Sequence, residues 1–174
     1  EVNTTIADGQ YTVTMTGKQQ YLFAITSIPD FSAKDFVWSM DATVIESAAS
    51  AGDMLLELSV REVDGLSGPH YSFSIFNDGT SSGEVWPTKK YQDVIEFWSY
   101  ESNNAISLDP GVVNNISLEV NGSTFTLYVN GQKIKDVTDT TITEAGEVSF
   151  SLAMYEPDET LKIAFDNLVI TAIP

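Results

Sequence analysis

The segment Gln92-Asp-Val-Ile-Glu-Phe-Trp-Ser-Tyr100 concentrates side chains able to do chemistry. It holds two carboxylates, Asp93 and Glu96, and two large aromatics, Trp98 and Tyr100, with Trp86 and Tyr91 just before it. Glycoside hydrolysis with retention needs two carboxyl groups about 5 Å apart, one as acid and one as nucleophile. Asp93 and Glu96 are three positions apart, which on a strand sends them to opposite faces. Val94, Trp98 and Tyr100 share the face of Glu96. One carboxylate stands where the mechanism needs two.

Other catalytic sets are also incomplete. His70 is the one histidine, so a Ser-His-Asp arrangement has only that residue to rest on. It follows Gly68-Pro69 at a strand start and reads as an ordinary surface residue. There is no Gly-x-Ser-x-Gly elbow, phosphate loop or dinucleotide fingerprint. The expectation is a protein without enzymatic activity. Binding fits these residues better. If Ile95 and Phe97 are core, Glu96, Trp98 and Tyr100 face away from it, with Trp86 near. An aromatic face covers the apolar side of a sugar ring while carboxylates take its hydroxyls. The competing reading packs Trp98 under a loop or against a second sheet.

These residues must be held by strands. Asn121-Gly122 and Asn130-Gly131 bracket the alternating run Thr124–Val129. Asn-Gly suits a type I′ hairpin turn, where both central residues need φ above zero. Strands over Asn115–Val120, Thr124–Val129 and Gln132–Val137 follow, antiparallel. Strand patterns recur elsewhere, at Gly9–Met15, Gln20–Thr26 and Phe36–Val44. In the next strand Leu56, Leu58 and Val60 point inward, with Glu57, Ser59 and Arg61 outward. Further strands follow at Tyr71–Ile75 before the Asn77-Asp78-Gly79 turn, around Ile95–Tyr100, at Val148–Met154 and at Leu161–Thr171. Ile45–Ala51 is a weak helical candidate without a continued stripe. About a dozen short strands imply an all-β antiparallel sandwich, a jelly roll of two sheets.

Composition narrows the partners. The 174 residues suit a single domain, residues 1–174, able to bury roughly two-thirds of its unfolded surface. No cysteine is present, which removes disulfides, thiolate metal sites and a thiol nucleophile. Twenty-five acidic against 8 basic residues leave a net charge of −17. Nucleic acid and anionic membranes are poor partners for such a surface; cations and neutral sugars suit it. No stretch approaches the ~20 apolar residues of a membrane span. The chain begins at Glu1 without a leader pattern and reads as a mature, exported product, extracellular or at the cell surface. Sequons at Asn3, Asn115 and Asn121 are candidate glycosylation sites.

The last strand breaks its alternation. Leu161, Ile163 and Phe165 share one parity, Leu168 and Ile170 the other. A β-bulge at Asp166-Asn167 accounts for the slip.

Four segments carry a family resemblance: Phe125-Thr-Leu-Tyr-Val-Asn-Gly-Gln-Lys-Ile134, Asp136-Val-Thr-Asp139, Gly146-Glu-Val-Ser-Phe150 and Ala164-Phe-Asp-Asn-Leu-Val-Ile170. They resemble the C-terminal half of concanavalin A-like lectin/glucanase domains, of the bacterial extracellular type related to laminin G-like modules and family 16 glycoside hydrolases. Asp8-Gly-Gln-Tyr-Thr-Val13 and Phe36–Val44 fit the first half. The resemblance implies a jelly roll with ligands on the concave face or loop edge. Hydrolases of that superfamily carry alternating carboxylates on one strand, a motif missing here. Calcium-binding members place an Asp in the final strand, a position matched by Asp166, with Asp8 a second candidate ligand. The resemblance thus implies a candidate structural Ca²⁺ site at Asp166; the competing reading is a carboxylate that satisfies the amides of the bulge or turn.

Two functions follow. The first is a non-catalytic carbohydrate-binding module for neutral polysaccharide or glycoprotein glycans, using Trp98, Tyr100, Glu96 and Trp86. The second is a structural or adhesive surface protein that self-associates through sheet edges into a filament, sheath or layer. Glycoside hydrolase ranks third.

Overall fold

Alternation of apolar and polar residues runs through the chain and sets its architecture. The computed structural model describes residues 1–17, 21–63, 68–107 and 109–173. Gln20, the expected start of the third strand, lies outside them. In chain order the strands are β1 (Val2–Ala7), β2 (Gln10–Thr16), β3 (Leu22–Ser27), β4 (Phe36–Ser47), β5 (Met54–Glu62), β6 (His70–Phe76) and β7 (Thr80–Trp86). A single 3₁₀ turn, Tyr91–Asp93, precedes β8 (Ile95–Ser102). Then come β9 (Val113–Asn121), β10 (Thr124–Val129), β11 (Gln132–Thr138), β12 (Glu147–Met154) and β13 (Thr160–Ala172).

They form two antiparallel sheets. One has seven strands in the order β1-β2-β13-β4-β9-β10-β11, the other six in the order β3-β12-β5-β6-β7-β8. The expected all-β sandwich is what forms. The helical candidate Ile45–Ala51 is instead the end of β4 and a loop, since β4 keeps its pairing with β13 out to Ser47.

One face of β4 shows how the core is built. Phe36, Trp38, Met40, Ala42 and Val44 are all buried, and each removes roughly 25 cal/mol of unfavourable hydration per Å². Opposite them lie Leu56, Leu58 and Val60 of β5 and Tyr71, Phe73 and Ile75 of β6. Aromatic rings tie the sheets together: Phe150 meets Phe165 at 4.7 Å and Tyr71 meets Phe125 at 4.1 Å between centroids.

Of the two Asn-Gly turns, one differs from expectation. Asn130-Gly131 is the loop between β10 and β11, and both residues have positive φ, 52° and 74°. Between β9 and β10, Asn121 pairs with Thr124, so the loop is Gly122-Ser123 with φ positive at Gly122. That is the II′ pattern, which places Gly first.

Arg61 also departs from the sequence reading. It points inward and is fully buried. Pairing slips between Val148↔Val60 and Glu147↔Glu62, leaving Arg61 as the extra residue of a bulge with φ 51°. Its guanidinium donates to the carbonyls of Ile142 (2.9 Å), Lys34 (3.1 Å) and Gly122 and lies 5.0 Å over the Phe125 ring. Asp35 stands 3.6 Å away. Burial depresses its pKa, opposed by the fields of Tyr71 and Asp35. One cation thus pins three loops at one end of the sandwich.

Candidate functional site

The outer face of the six-stranded sheet is recessed. Its side chains fall into rows set by the register. One row is Ser149, Ser59, Ser72, Glu84 and Glu96; the next is Ser151, Glu57, Ser74 and Ser82. Beyond them lie Ala153, Leu55 and Phe76 on one side, His70 and Trp86 on the other. Ser59, Ser72, Ser74, Ser149 and Ser151 are buried although no third layer of strands covers them among the described residues. On the outer face of the other sheet, Val37, Ser39, Asp41 and Thr43 are only half-buried. Small serines leave a hollow between longer Glu, Tyr and Trp side chains, and a groove of about 330 Å³ results.

Aromatics stand at both ends. Trp86 stacks on His70 at 5.8 Å with planes 10° apart, and Tyr91 lies 5.8 Å beyond. At the other end Tyr100 packs 4.9 Å from Phe76, and Tyr155 lies 5.9 Å from Tyr21.

In β8 the condition for an outward Trp98, Ile95 in the core, is not met, and the competing reading, in which Trp98 packs inward, holds. Trp98 is only 6% exposed and Ile95 is 47% exposed. Pairing between β7 and β8 slips on both sides of Gly83↔Trp98, which resets the alternation. Gly83 makes this possible: a Cβ there would lie 2.3 Å from two carbons of the indole. Trp98 therefore lies flat on the Gly83 backbone, 5.9 Å from Phe73, and donates its Nε1 hydrogen to Ser81 Oγ at 3.2 Å. Trp98 is also among the residues that line the groove. Tyr100, with φ 50°, turns outward again, 64% exposed, and its amide donates to Ser82 Oγ at 3.0 Å.

Of the expected site residues, Glu96, Trp86 and Tyr100 share this face, and Trp98 is among the residues lining the groove. Sequence reasoning missed Glu57, Glu84, Tyr155 and the serines. Their signal was present: β5, β6, β7 and β12 place Ser or Glu at nearly every second position opposite the core.

The groove is negative. Glu57, Glu84 and Glu96 line it, and among the described residues no lysine or arginine does. Burial pushes the Glu84 carboxyl above its usual value; a 2.7 Å hydrogen bond from Trp86 Nε1 opposes this, and the charges of Glu57 and Glu96 add to it. Glu62, beside His70, is raised by burial against the hydrogen bond from the Ser149 hydroxyl. The Tyr155 phenol is pushed up to about 12 by burial, then by Glu57. Glu84 and Glu96 sit directly opposite each other on neighbouring strands, a like-charge pairing that costs stability.

A larger cleft of about 510 Å³ opens between β3 and the β2–β13 pair, lined by Ile6, Tyr11, Phe150, Phe165 and Leu168. It is a mainly apolar gap into the core, with Tyr11, Thr26, Ser27 and Asn167 among its polar lining. Asp166 and Gly9 lie on its rim. The bulge expected at Asp166-Asn167 is present, as pairing with β4 slips between Asp166 and Val169. The Asp166 carboxylate accepts from the Asn167 amide at 2.7 Å, and Asn167 Nδ2 donates to Asp41. Asp8 sits in the neighbouring β1–β2 turn with φ 52°. Among the described residues no three acidic or histidine side chains converge as a metal set. Asn3, Asn115 and Asn121 are all exposed, with Asn115 Nδ2 donating to Asp41 at 2.9 Å. No helix among the described residues is long and apolar enough to cross a membrane.

The two antiparallel sheets form a jelly-roll sandwich. No protein-family model matches the sequence, and no curated protein is significantly similar to it. Solved structures are similar in fold. A carbohydrate-binding module, CBM66 of Bacillus subtilis, superposes with a TM-score of 0.66 at 14% identity, covering 99% of this chain and 92% of that one. A Bacteroides ovatus GH16 protein in complex with a G4G4G3G product gives 0.68 at 12% identity, covering 98% and 85%. Sheep galectin-11 gives 0.54 at 11% identity, covering 88% and 98%.

Proposed function

We propose that this domain binds glycans without cleaving them, in the groove on the six-stranded sheet, outside the cell. The observation that carries the reading is a recessed polar face with aromatic side chains at both ends. Trp86, Tyr91, Tyr100 and Tyr155 offer faces for sugar rings. Glu57, Glu84, Glu96 and the serines offer acceptors and donors for hydroxyls. The likeness of fold to a carbohydrate-binding module and a galectin supports it. A screen of the purified domain against a glycan array and insoluble polysaccharides tests it. Retention that falls at least tenfold in Trp86→Ala or Tyr100→Ala supports the groove. Retention unchanged in both variants removes it.

Two observations favour other readings. Edge strand β3 exposes Phe23 and Ile25, and an exposed apolar edge favours assembly by strand pairing. A concentration-independent monomer in solution eliminates that reading. The facing carboxylates Glu84 and Glu96 supply from two strands the pair that no single strand carries. New reducing ends from a bound polysaccharide, abolished by Glu84→Gln, would make the protein a hydrolase.

A further inference from the structure

The sandwich has a step at one corner. The seven-stranded sheet ends in β2 and then β1, while the six-stranded sheet ends in β3. β3 lies over β2, with the Tyr11 hydroxyl 3.1 Å from Thr26 Oγ1. β1 therefore projects one strand further, and no described strand covers it. Val2, Thr4 and Ile6 pair with Met15, Val13 and Tyr11, so their side chains point to the core side. All three are nevertheless exposed, Ile6 at 79%. The step leaves room for one strand beside β3 and over β1, where the cleft opens between Ile6 and Thr26–Pro29.

The two edges at this corner are also unguarded. Edge strands are commonly protected by charges, bulges or proline. β11, at the far end of its sheet, carries Lys133, Lys135 and Asp136 and a break in register. β8, at the far end of the other, carries Glu96 and Glu101 and two breaks. β1 and β3 contain no acidic residue, basic residue or proline, and each pairs without a break. For a chain of net charge −17, these are the edges at which a second copy meets least repulsion.

The hydrogen-bonding phase fixes how the edges meet. Glu1 exchanges backbone bonds of 2.5 and 2.9 Å with Thr16, so by alternation Val2, Thr4 and Ile6 aim their amides and carbonyls away from β2. The Ile28 amide donates to the Val148 carbonyl at 3.1 Å, so Phe23, Ile25 and Ser27 aim theirs away from β12. The open groups belong to core-facing residues on β1 and outward-facing residues on β3. Antiparallel pairing sets bonded residues opposite each other on one face, which this phase forbids. In parallel pairing Thr4 sits opposite Ala24 and bonds to its neighbours Phe23 and Ile25. Within one copy the two strands run the same way. Val2 lies beside Met15, which pairs with Leu161 at the start of β13, and Leu22 lies beside Met154 at the end of β12. A twofold axis along the strands keeps that direction and exchanges the layers.

We propose that two copies of this chain associate about such an axis, β1 of each adding in parallel to β3 of the other, with Val2, Thr4 and Ile6 of both packed between the layers. Each overhang fills the other's step, so the assembly closes at two copies. Pairing β3 with β3 about an axis through the sheets is blocked, because β1 of each copy would meet β2 of the other. An edge about 20 Å long and about 25 Å deep buries about 1,000 Å² over both copies, the low end of specific interfaces. The inference rests on the strand-pairing reading above and gives it a partner, a seam and a stop.

Sedimentation velocity from about 1 to 200 μM tests it, with an expected Kd of about 10 μM. A monomer–dimer equilibrium without larger species is expected, tighter at about 0.15 M salt than at 0.01 M, because repulsion between two anionic copies is screened. Hydrogen exchange at the Thr4 and Ile25 amides should slow as concentration rises. Ile25→Pro removes a donor from the open side of an edge strand, where proline is tolerated. Ile6→Glu buries a charge only in the dimer. Both variants should keep the melting transition of the monomer and stay monomeric. A wild-type monomer at every concentration, with unchanged exchange, overturns the inference and the strand-pairing reading together. Species that grow beyond two copies overturn the closed pair and leave strand pairing standing. A dimer untouched by Ile25→Pro overturns the β1–β3 seam.

Discussion

Gly83→Ala is the substitution that most directly tests how the groove is built. The new methyl would stand 2.3 Å from Cη2 and Cζ3 of Trp98 and 2.8 Å from Cε3. Ordinary carbon contacts begin near 3.5 Å, so the indole or the strand must shift by about 1 Å. Trp98 has little room, held by Phe73 on one side and the Ser81 hydroxyl on the other. Overpacking of a core typically costs about 1–3 kcal/mol. Full expulsion of an indole, about 150–250 Å² at 25 cal/mol/Å², would cost about 4–6 kcal/mol. The expected loss is about 3 kcal/mol, or roughly 6–12 °C in Tm for a chain of this length. Thermal unfolding by circular dichroism measures it, and tryptophan fluorescence reports whether the indole leaves the core. A double-mutant cycle isolates the contact: in a Trp98→Ala background, Gly83→Ala should cost less than about 1 kcal/mol. An equal cost in both backgrounds, or a Tm unchanged by Gly83→Ala alone, would refute the packing argument.

Arg61→Met leaves the carbonyls of Ile142, Lys34 and Gly122 without their donor, and a loss of about 3–5 kcal/mol is expected in urea unfolding. Arg61→Lys should recover only part, because one ammonium does not reproduce the planar fork. Glu84→Gln should raise Tm. Its folded-state carboxyl is held above the ordinary value, so the folded chain binds a proton where the unfolded chain has released it. Stability from this group is therefore greatest at low pH and is lost as pH rises through the folded value. The gain from Glu84→Gln should appear near pH 7 and vanish near pH 3; an identical gain at both would refute the burial argument. For a structural ion at Asp166, our proposal is that calcium raises Tm and that Asp166→Asn removes the increment; a Tm equal in EDTA and calcium rules the ion out.

Much of the architecture was legible in the sequence. The β4 alternation Phe36, Trp38, Met40, Ala42, Val44 is the buried face of the structure, and Asn130-Gly131 is the two-residue turn it appeared to be. The broken parity at Asp166-Asn167 marked a bulge that exists. Less of the candidate site was legible. Trp86, Glu96 and Tyr100 were singled out by residue type and proximity, and the structure puts them on one face of the six-stranded sheet. Glu57 and Glu84 were not, because single carboxylates on separate strands look like ordinary solvated positions until pairing places them side by side.

The sequence by itself determined the class of structure: period-two patterning with short turns permits little besides an antiparallel sandwich, and the core faces follow from burying the apolar parity. Tertiary structure decided everything that depends on a partner strand. Bulges at Arg61 and at Gly83–Trp98 exist only relative to the neighbouring register, and each sends a side chain to the face opposite its local parity. Pairing also joined β5 to β12 and β7 to β8, gathering Glu57, Glu84 and Glu96 over a floor of serines. Alternation is a local property of the chain; which strand lies beside which, and in what register, is set by the closure of the whole core.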